Sequence, residues 1–467
     1  MPFNNIDNVP GNNLALISES GETLTYREMY EMAAKATRSI VPRKLVLIES
    51  VWDLQTACFY VGCLRRDAIV FPCVMNVSER RLSEIVIKYK PDFIYGFANY
   101  SKLLSRIGYL GRDKIYFRIQ QESPILDESL AMLISTSGSS GSEKTVRISK
   151  ENLKDNTYSI IEGLKIRELD VAITTLPLSY SYGISIFNSH ISKGAAVVLN
   201  RNSLVSKEFW SLVRELGVTN FGGVPQQHRL LSRMTPSLLT KTKMRYVTQA
   251  GGKLEIQTVL KLHEMLQSQD IGLVKMYGQT EATARISIMP AEELKENFDS
   301  VGYPILGGRI EIRDISTKER VSTGVVGEIN YIGKNVMLGY ANSRQDLNLG
   351  DINRGFLQTG DLGFLDSKGR LIVQGRIDRV VKVAGLKIDL DALESTLSSE
   401  EYRVAALHGD ESVSIFIEKG RDLMQIQSEI RDYYPIAKST FKLIQVDKIP
   451  TLPSGKVNYT ELKNLLT

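Results

Sequence analysis

Three cysteines, four histidines and two tryptophans are few for 467 residues, and each shortage removes a class of function. Cys58, Cys63 and Cys73 are odd in number, sit among apolar neighbours and show no paired metal-ligand spacing. They read as reduced core thiols, not as a disulfide framework or a zinc site. The histidines (His190, His228, His263 and His408) are scattered and form no HExxH pair. No uninterrupted apolar stretch reaches membrane-spanning length, so no membrane span is expected. The opening residues, MPFNNIDNVPGNN, lack the basic segment and apolar run of a secretory leader, which predicts a cytoplasmic protein. Repeats and low-complexity linkers are missing too. Nor does any dense Lys/Arg run interleave with aromatics. The 58 basic and 53 acidic residues are spread along the chain, so the net charge of +5 reads as solvated surface and predicts no nucleic-acid partner.

What is present is a balanced globular composition, 43% hydrophobic and 24% charged, in a chain too long for one ordinary core. Apolar runs alternate with amphipathic segments through the first 300 residues. Strands are predicted at 45–48, 68–72, 195–199, 220–224, 246–249 and 273–276, and helices over 27–40, 209–216 and 258–267. Such alternation predicts an α/β fold with two layered, largely parallel sheets. After about residue 300 short strands separated by glycines (309–313, 327–331, 370–373) predict a small β-rich subdomain. A compact α+β segment follows, with helices near 390–398 and 423–433 and strands at 403–407, 413–418 and 441–446. The expected division is a large domain over 1–376 and a small one over 378–467, with the break at Arg376–Asp378.

The richest local signal is the run Ser135-Thr-Ser-Gly-Ser-Ser-Gly-Ser-Glu-Lys144. Glycines let a backbone approach an anion, hydroxyls and N–H groups donate to it, and Lys144 adds positive charge. A flexible Ser/Gly linker is the bland alternative. Apolar strands on both sides, 131–134 and 146–148, favour a built loop. The run nearly fits a kinase-type P-loop, but Glu143 stands where the second glycine is required and an extended segment follows where a helix should open.

This loop resembles the signature of the adenylate-forming superfamily, which includes acyl-CoA synthetases, luciferases and non-ribosomal adenylation domains. Tyr277-Gly-Gln-Thr-Glu281 is similar to that family's YGxTE, and Thr359-Gly-Asp361 to its TGD. Gly375-Arg-Ile-Asp378, with Lys382 and Gly385, resembles GRxDxxxKxxG, and Leu452-Pro-Ser-Gly-Lys456 resembles the PSGK near the carboxyl terminus. Each string is short. Their shared order over residues 135 to 456 is what carries the likeness. The chain departs from the pattern at Glu143 and Thr145, where proline and glycine are usual, and at Tyr459, where many members carry arginine.

The resemblance implies ATP, Mg²⁺ and a thiol, either CoA or phosphopantetheine on an acyl carrier protein, with a small-molecule carboxylic acid as substrate. A carboxylate must then meet the α-phosphate, and both are anions. At ~4 Å two unit charges repel by ~1 kcal/mol in water and ~4 kcal/mol at an effective dielectric of ~20. Fixed cations and donors are therefore required. By resemblance Lys456 bridges carboxylate and phosphate, Glu281 orients Mg²⁺ and Thr280 touches the α-phosphate. In isolation Lys456 would be a surface lysine, and Thr280 and Glu281 the start of a helix. Thr136, Ser137, Gly138, Ser139, Ser140, Gly141 and Lys144 would cradle phosphate, and Gly278 belongs to the same nucleotide site. Tyr277 would stack on adenine, with Gly251 and Gly252 along its edge, although a core aromatic and a simple turn compete. Asp361 offers two acceptor oxygens to the ribose hydroxyls, with Arg376 assisting. Asp378 would be the hinge that swings Lys456 out and brings the Gly385 segment toward the thiol.

Leu176-Pro-Leu-Ser-Tyr-Ser-Tyr-Gly183 resembles the border of the family's acid pocket. Tyr180 stands where amino-acid-activating members have an aspartate nearby, which disfavours an α-amino acid. Phe187, Phe221, Gly222, Gly223, Val224 and Ala250 would line an apolar pocket for an aliphatic or aryl acid. No fused carrier or condensation domain is expected. Three readings follow: an acyl-CoA synthetase, a stand-alone ligase loading a carrier protein, and an inactive nucleotide-binding scaffold. The retained charges at Lys456, Glu281, Asp361 and Arg376 argue against the last.

Overall fold

The computed structural model describes residues 3, 9–112, 114–119, 126–136, 144–383, 386–398, 402–409, 412–420, 422–433, 440–452 and 456–466. Four strands, Leu45–Glu49, Ile69–Cys73, Phe93–Tyr95 and Leu130–Thr136, run parallel at the centre of an eight-stranded sheet. They read as unbroken apolar runs because both faces are covered. A thirteen-stranded sheet holds the parallel strands Leu14–Ser18, Ala196–Leu199, Val171–Ile173, Asn220–Gly223, Tyr246–Gln249 and Gly272–Tyr277.

Helices fill the space between the two sheets. One core unites Leu16 and Val197 of the larger sheet with Val46, Val70 and Met132 of the smaller through helices Tyr26–Ala36, Leu54–Arg65, Lys150–Gly163 and Ser181–Lys193. Packed from both sides, Leu54–Arg65 is buried almost all round, and Cys58 and Cys63 lie on it. Burial pushes the thiols of Cys58 and Cys73 up to about 12 and Cys63 higher still, so all three are inert neutral groups. Two further cores cover the outer faces. Phe209, Trp210, Val259 and Leu262 pack on the larger sheet, and Leu82, Ile85, Val86 and Leu103 on the smaller. Among the described residues no helix is long and apolar enough to cross a membrane.

Caps set several boundaries. Thr25 and Glu28 form a reciprocal capping box at the start of Tyr26–Ala36, with Thr25 N donating to Glu28 at 2.8 Å. This helix ends at Ala36, short of the expected residue 40, because Thr37 turns its hydroxyl onto the Ala33 carbonyl at 2.7 Å. The β-rich segment is not a separate body. Ser300–Pro304 pairs with Ser287–Met289 on one side and Leu371–Arg376 on the other, welding it edge to edge onto the larger sheet.

After Arg376 the chain makes a hairpin, Val380–Val383 with Leu386–Asp389, and then a three-stranded sheet of Val404–His408, Val413–Glu418 and Phe441–Val446. Helix Leu390–Leu397 packs there around Val383, Ile388, Val404 and Ile415. A buried polar cluster ties this part together. Arg379 donates to Asp391 at 2.8 Å and to Glu394, and its guanidinium lies 4.4 Å over the Tyr459 ring. The Tyr459 hydroxyl donates to Glu394 at 2.8 Å. Three residues earlier, Lys456 ends a small hairpin held by Leu452 N to Lys456 O (2.8 Å), Asn458 N to Pro450 O (2.8 Å) and a Thr451–Val457 bridge.

Candidate active site

The strand Gly272–Tyr277 delivers the tyrosine motif to the edge of the larger sheet. Gly278 follows because a Cβ there would stand 2.0 Å from the Ala284 carbonyl oxygen. The chain then makes a short 3-10 turn, Thr280–Ala282, and Thr283 takes a left-handed φ of 62°. The expected helix start is thus a single turn, with no side-chain cap on it. Its shape is imposed from outside. Thr283 donates to the Asn335 carbonyl at 2.7 Å, and the Asn335 amide donates to Ala282 O at 2.9 Å and Arg285 O at 2.8 Å. Tyr331 in turn donates to the Asn335 side chain at 2.8 Å. Asn335 carried no motif signal in the sequence.

Tyr277 donates its hydroxyl to Asp361 at 2.5 Å, and Arg376 donates to the other oxygen of that carboxylate at 3.2 Å. Burial pushes the Asp361 carboxyl up, opposed by Arg376, Tyr277 and Lys456. Arg376 also donates to Asp378 at 2.9 Å, while Asp378 sits in the 3-10 turn Ile377–Arg379 between two strands. The motifs around residues 277, 361 and 376 therefore meet in one cluster, and Gln279 adds a bond to the Thr359 carbonyl at 3.3 Å.

Two distant segments come to the same place. Tyr340 donates to Glu281 Oε1 at 2.8 Å, and Lys144 lies 4.9 Å over the Tyr340 ring. Tyr340 is thus the link between the hydroxyl-rich loop and the YGQTE turn, through pairing of Gly339–Ala341 with Lys144–Ser149. Thr136 and Lys144 close the loop as register partners, with Thr136 Oγ1 donating to Lys144 O at 3.4 Å. Ser137, Gly138, Ser139, Ser140 and Gly141 lie outside the described residues, as does Gly385. The second arrival is Lys456. It keeps an exposed flank, but its charge faces Asp361, Glu281 and Arg376. Desolvation lowers its pKa against the upward pull of the two carboxylates.

The residues expected to line an acid pocket divide between two faces of the larger sheet. Phe221 points away from the expected pocket into the outer core, edge-on to Phe209 at 5.8 Å and Trp210 at 6.4 Å. Strand alternation then sends Gly222 to the inner face with Tyr180, Tyr182, Val224 and Ala250. Phe187 is likewise taken by the inter-sheet core, against Trp52 and Tyr60. Nor do the glycines leave open room. A Cβ at Gly222 would meet the Tyr182 hydroxyl at 2.7 Å, and one at Gly223 would meet His228 Nε2 at 2.8 Å. Gly251 has φ of 85°, and a Cβ there would stand 2.6 Å from the Tyr180 hydroxyl. Gly252 lies nearer Pro225, with 3.2 Å from a Cβ to the ring. Ser181 and Thr280 share a hydroxyl contact of 3.1 Å, joining this face to the nucleotide turn.

The chain belongs to the AMP-binding enzyme family, which matches residues 3–341. It is 26% identical to the acyl-CoA synthetase ALT10 of Alternaria alternata, covering 72% of this chain and 65% of that protein. With 4-coumarate–CoA ligase-like 6 of Arabidopsis thaliana the identity is 24%, over 73% of this chain and 63% of the relative. The chain thus spans a little under two thirds of the length of these curated relatives. Its fold is similar to ATP-bound MatB from Rhodopseudomonas palustris, with a TM-score of 0.83, 20% identity, and coverage of 99% and 98% of the two chains.

Proposed function

We propose that this chain is an acid–thiol ligase that activates a carboxylic acid with ATP and passes the acyl group to the thiol of CoA. A carboxylate oxygen forms a bond to the α-phosphorus, the bond to the bridging oxygen breaks, and pyrophosphate leaves. The thiol sulfur then bonds to the acyl carbon and AMP departs with the electron pair of the broken C–O bond. Membership of the AMP-binding enzyme family and CoA ligases among the relatives support this reading. The observation that supports it best is that the Lys456 charge faces Asp361 and Glu281, which lie far from it along the chain.

In this reading Asp361 and Arg376 hold the ribose, Tyr277 faces the adenine, Thr280 and the loop bounded by Thr136 and Lys144 hold phosphate, and Lys456 neutralises the approaching anions. Glu281 suits Mg²⁺. That ion takes one or two carboxylates and completes its shell with phosphate and water, and no cluster of three or more metal-ligating residues occurs among the described residues. When bound, Mg²⁺ would supply charge neutralisation at the phosphates. Asp378 is the pivot about which 378–467 turns between the two half-reactions.

Acid-dependent exchange of pyrophosphate into ATP tests the first half-reaction. Lys456→Ala should abolish exchange and leave conversion of supplied acyl-AMP largely intact. Equal loss of both steps would refute the assignment of Lys456.

A further inference from the structure

Five arginines are buried among the described residues: Arg147, Arg285, Arg344, Arg370 and Arg379. Four have their charge answered by the protein. Arg344 pairs with Asp92 at 2.8 Å, Arg370 with Asp366 at 2.8 Å and Glu296 at 3.0 Å, and Arg379 with Asp391 at 2.8 Å and Glu394. Arg147 donates to the carbonyls of Leu338, Tyr340, Leu349 and Gly350 and feels Asp127, Asp346 and Asp351.

Arg285 has none of this. It is 2% exposed, yet its Nε meets the Met276 sulfur at 3.3 Å and one Nη meets the Ala284 carbonyl at 3.3 Å. Its guanidinium lies 4.0 Å over the Tyr182 ring. The ionisable groups facing it are Tyr182 and Tyr180, both held neutral by burial. Stacking on an aromatic face offsets only part of what burying an ion costs. The protein therefore keeps a desolvated cation without a counter-charge. It keeps it beside Tyr180 and Tyr182, on the face that carries Gly222, Val224 and Ala250.

Lys456 already faces the nucleotide with Asp361, Glu281 and Arg376 around it, and Arg285 is not among its charged neighbours. Two separate cations imply two separate anions. The carboxylate that attacks phosphorus belongs with Lys456, which leaves Arg285 for an anion elsewhere on the same substrate.

We propose that Arg285 is the counter-ion for a second, distal carboxylate, so that the site takes dicarboxylic acids in preference to monocarboxylic acids of equal length. This rests on the acid-activating reading above and sharpens it. A planar guanidinium offers the paired donors that a carboxylate accepts. A site with an unanswered cation also rejects a methyl-ended analogue, which would leave that cation buried and bare.

The test is pyrophosphate exchange with the full chain over matched pairs, succinic against butyric acid and glutaric against valeric acid. Wild type should favour one or more diacids by about 100-fold in kcat/KM. Arg285→Met should shrink that ratio below about 5-fold, through a raised KM for the diacid, and Arg285→Lys should restore part of it. Thermal melting identifies a variant that fails to fold, and the wild-type ratio stands without either variant. Equal use of both members of each pair by wild type would overturn the role of Arg285 while leaving acid activation standing. An unchanged ratio in Arg285→Met would do the same. Absence of exchange with every acid would overturn the acid-activating reading itself.

Discussion

Near the edge of the eight-stranded sheet, Arg344 donates to Asp92 and to the backbone carbonyls of Tyr89 and Lys90, and Asp92 also receives Leu45 N and Arg118. Across the molecule, Arg285 is buried as deeply and touches a sulfur, one carbonyl and a tyrosine face. The first arginine is a structural strut whose charge is spent inside the fold. The second meets no carboxylate in the fold. The charge of Arg344 is closed within the chain, and on the proposed function that of Arg285 awaits a ligand.

The same substitution at both arginines should separate these roles. Arg344→Met should cost about 1.5–3 kcal/mol in urea unfolding, since it removes one of two arginines on the buried Asp92 and leaves Arg118 with it. Lys456→Ala should abolish pyrophosphate exchange with little change in the melting temperature. His228 tests the rule on a group that is neutral by design. Its Nε2 lies 3.1 Å from two carbonyls, Gly223 O and Thr248 O, so that nitrogen carries the proton. Burial lowers its pKa to about 4. The unfolded chain therefore holds the extra proton between pH ~4 and ~6.5, and the stabilisation present above pH ~6.5 is lost as pH falls through about 4. That amounts to about 3 kcal/mol, and His228→Gln should flatten this part of a stability profile. Tyr340→Phe should keep the Lys144 stack and remove the bond to Glu281, lowering exchange by about 10-fold. Arg285→Met should change unfolding stability by no more than about 1 kcal/mol, because no carboxylate is stranded by its loss. A cost near that of Arg344→Met would erase the contrast.

Much of this was legible in the sequence, and the exceptions have physical causes. The strands Val413–Glu418 and Tyr246–Gln249 were readable to the residue. Short motifs named Tyr277, Asp361, Arg376 and Lys456, which cluster. The facing of Asn220–Gly223 was not readable. Two glycines leave no alternation from which to tell inner from outer side, and Phe221 was therefore assigned to the wrong face. Arg285 and Tyr340 escaped for another reason. A lone arginine or tyrosine carries no periodicity, and its meaning depends on partners distant in the chain, Tyr182 for Arg285 and Glu281 and Lys144 for Tyr340. Asn335 is of the same kind, since its value lies in three carbonyl and hydroxyl partners that only folding assembles.

The Arg379–Glu394–Tyr459 clasp has a kinetic corollary. Because Tyr459 is gripped three residues beyond Lys456, and the adjoining hairpin is closed by its own backbone bonds, the backbone of the lysine is tied to this cluster. A free side chain would flicker away within nanoseconds, whereas a body of this size reorients over microseconds to milliseconds. On the proposed cycle, the backbone of Lys456 leaves only when the carboxyl-terminal body does. Loosening the clasp at Tyr459 would turn a gated departure into continual leakage.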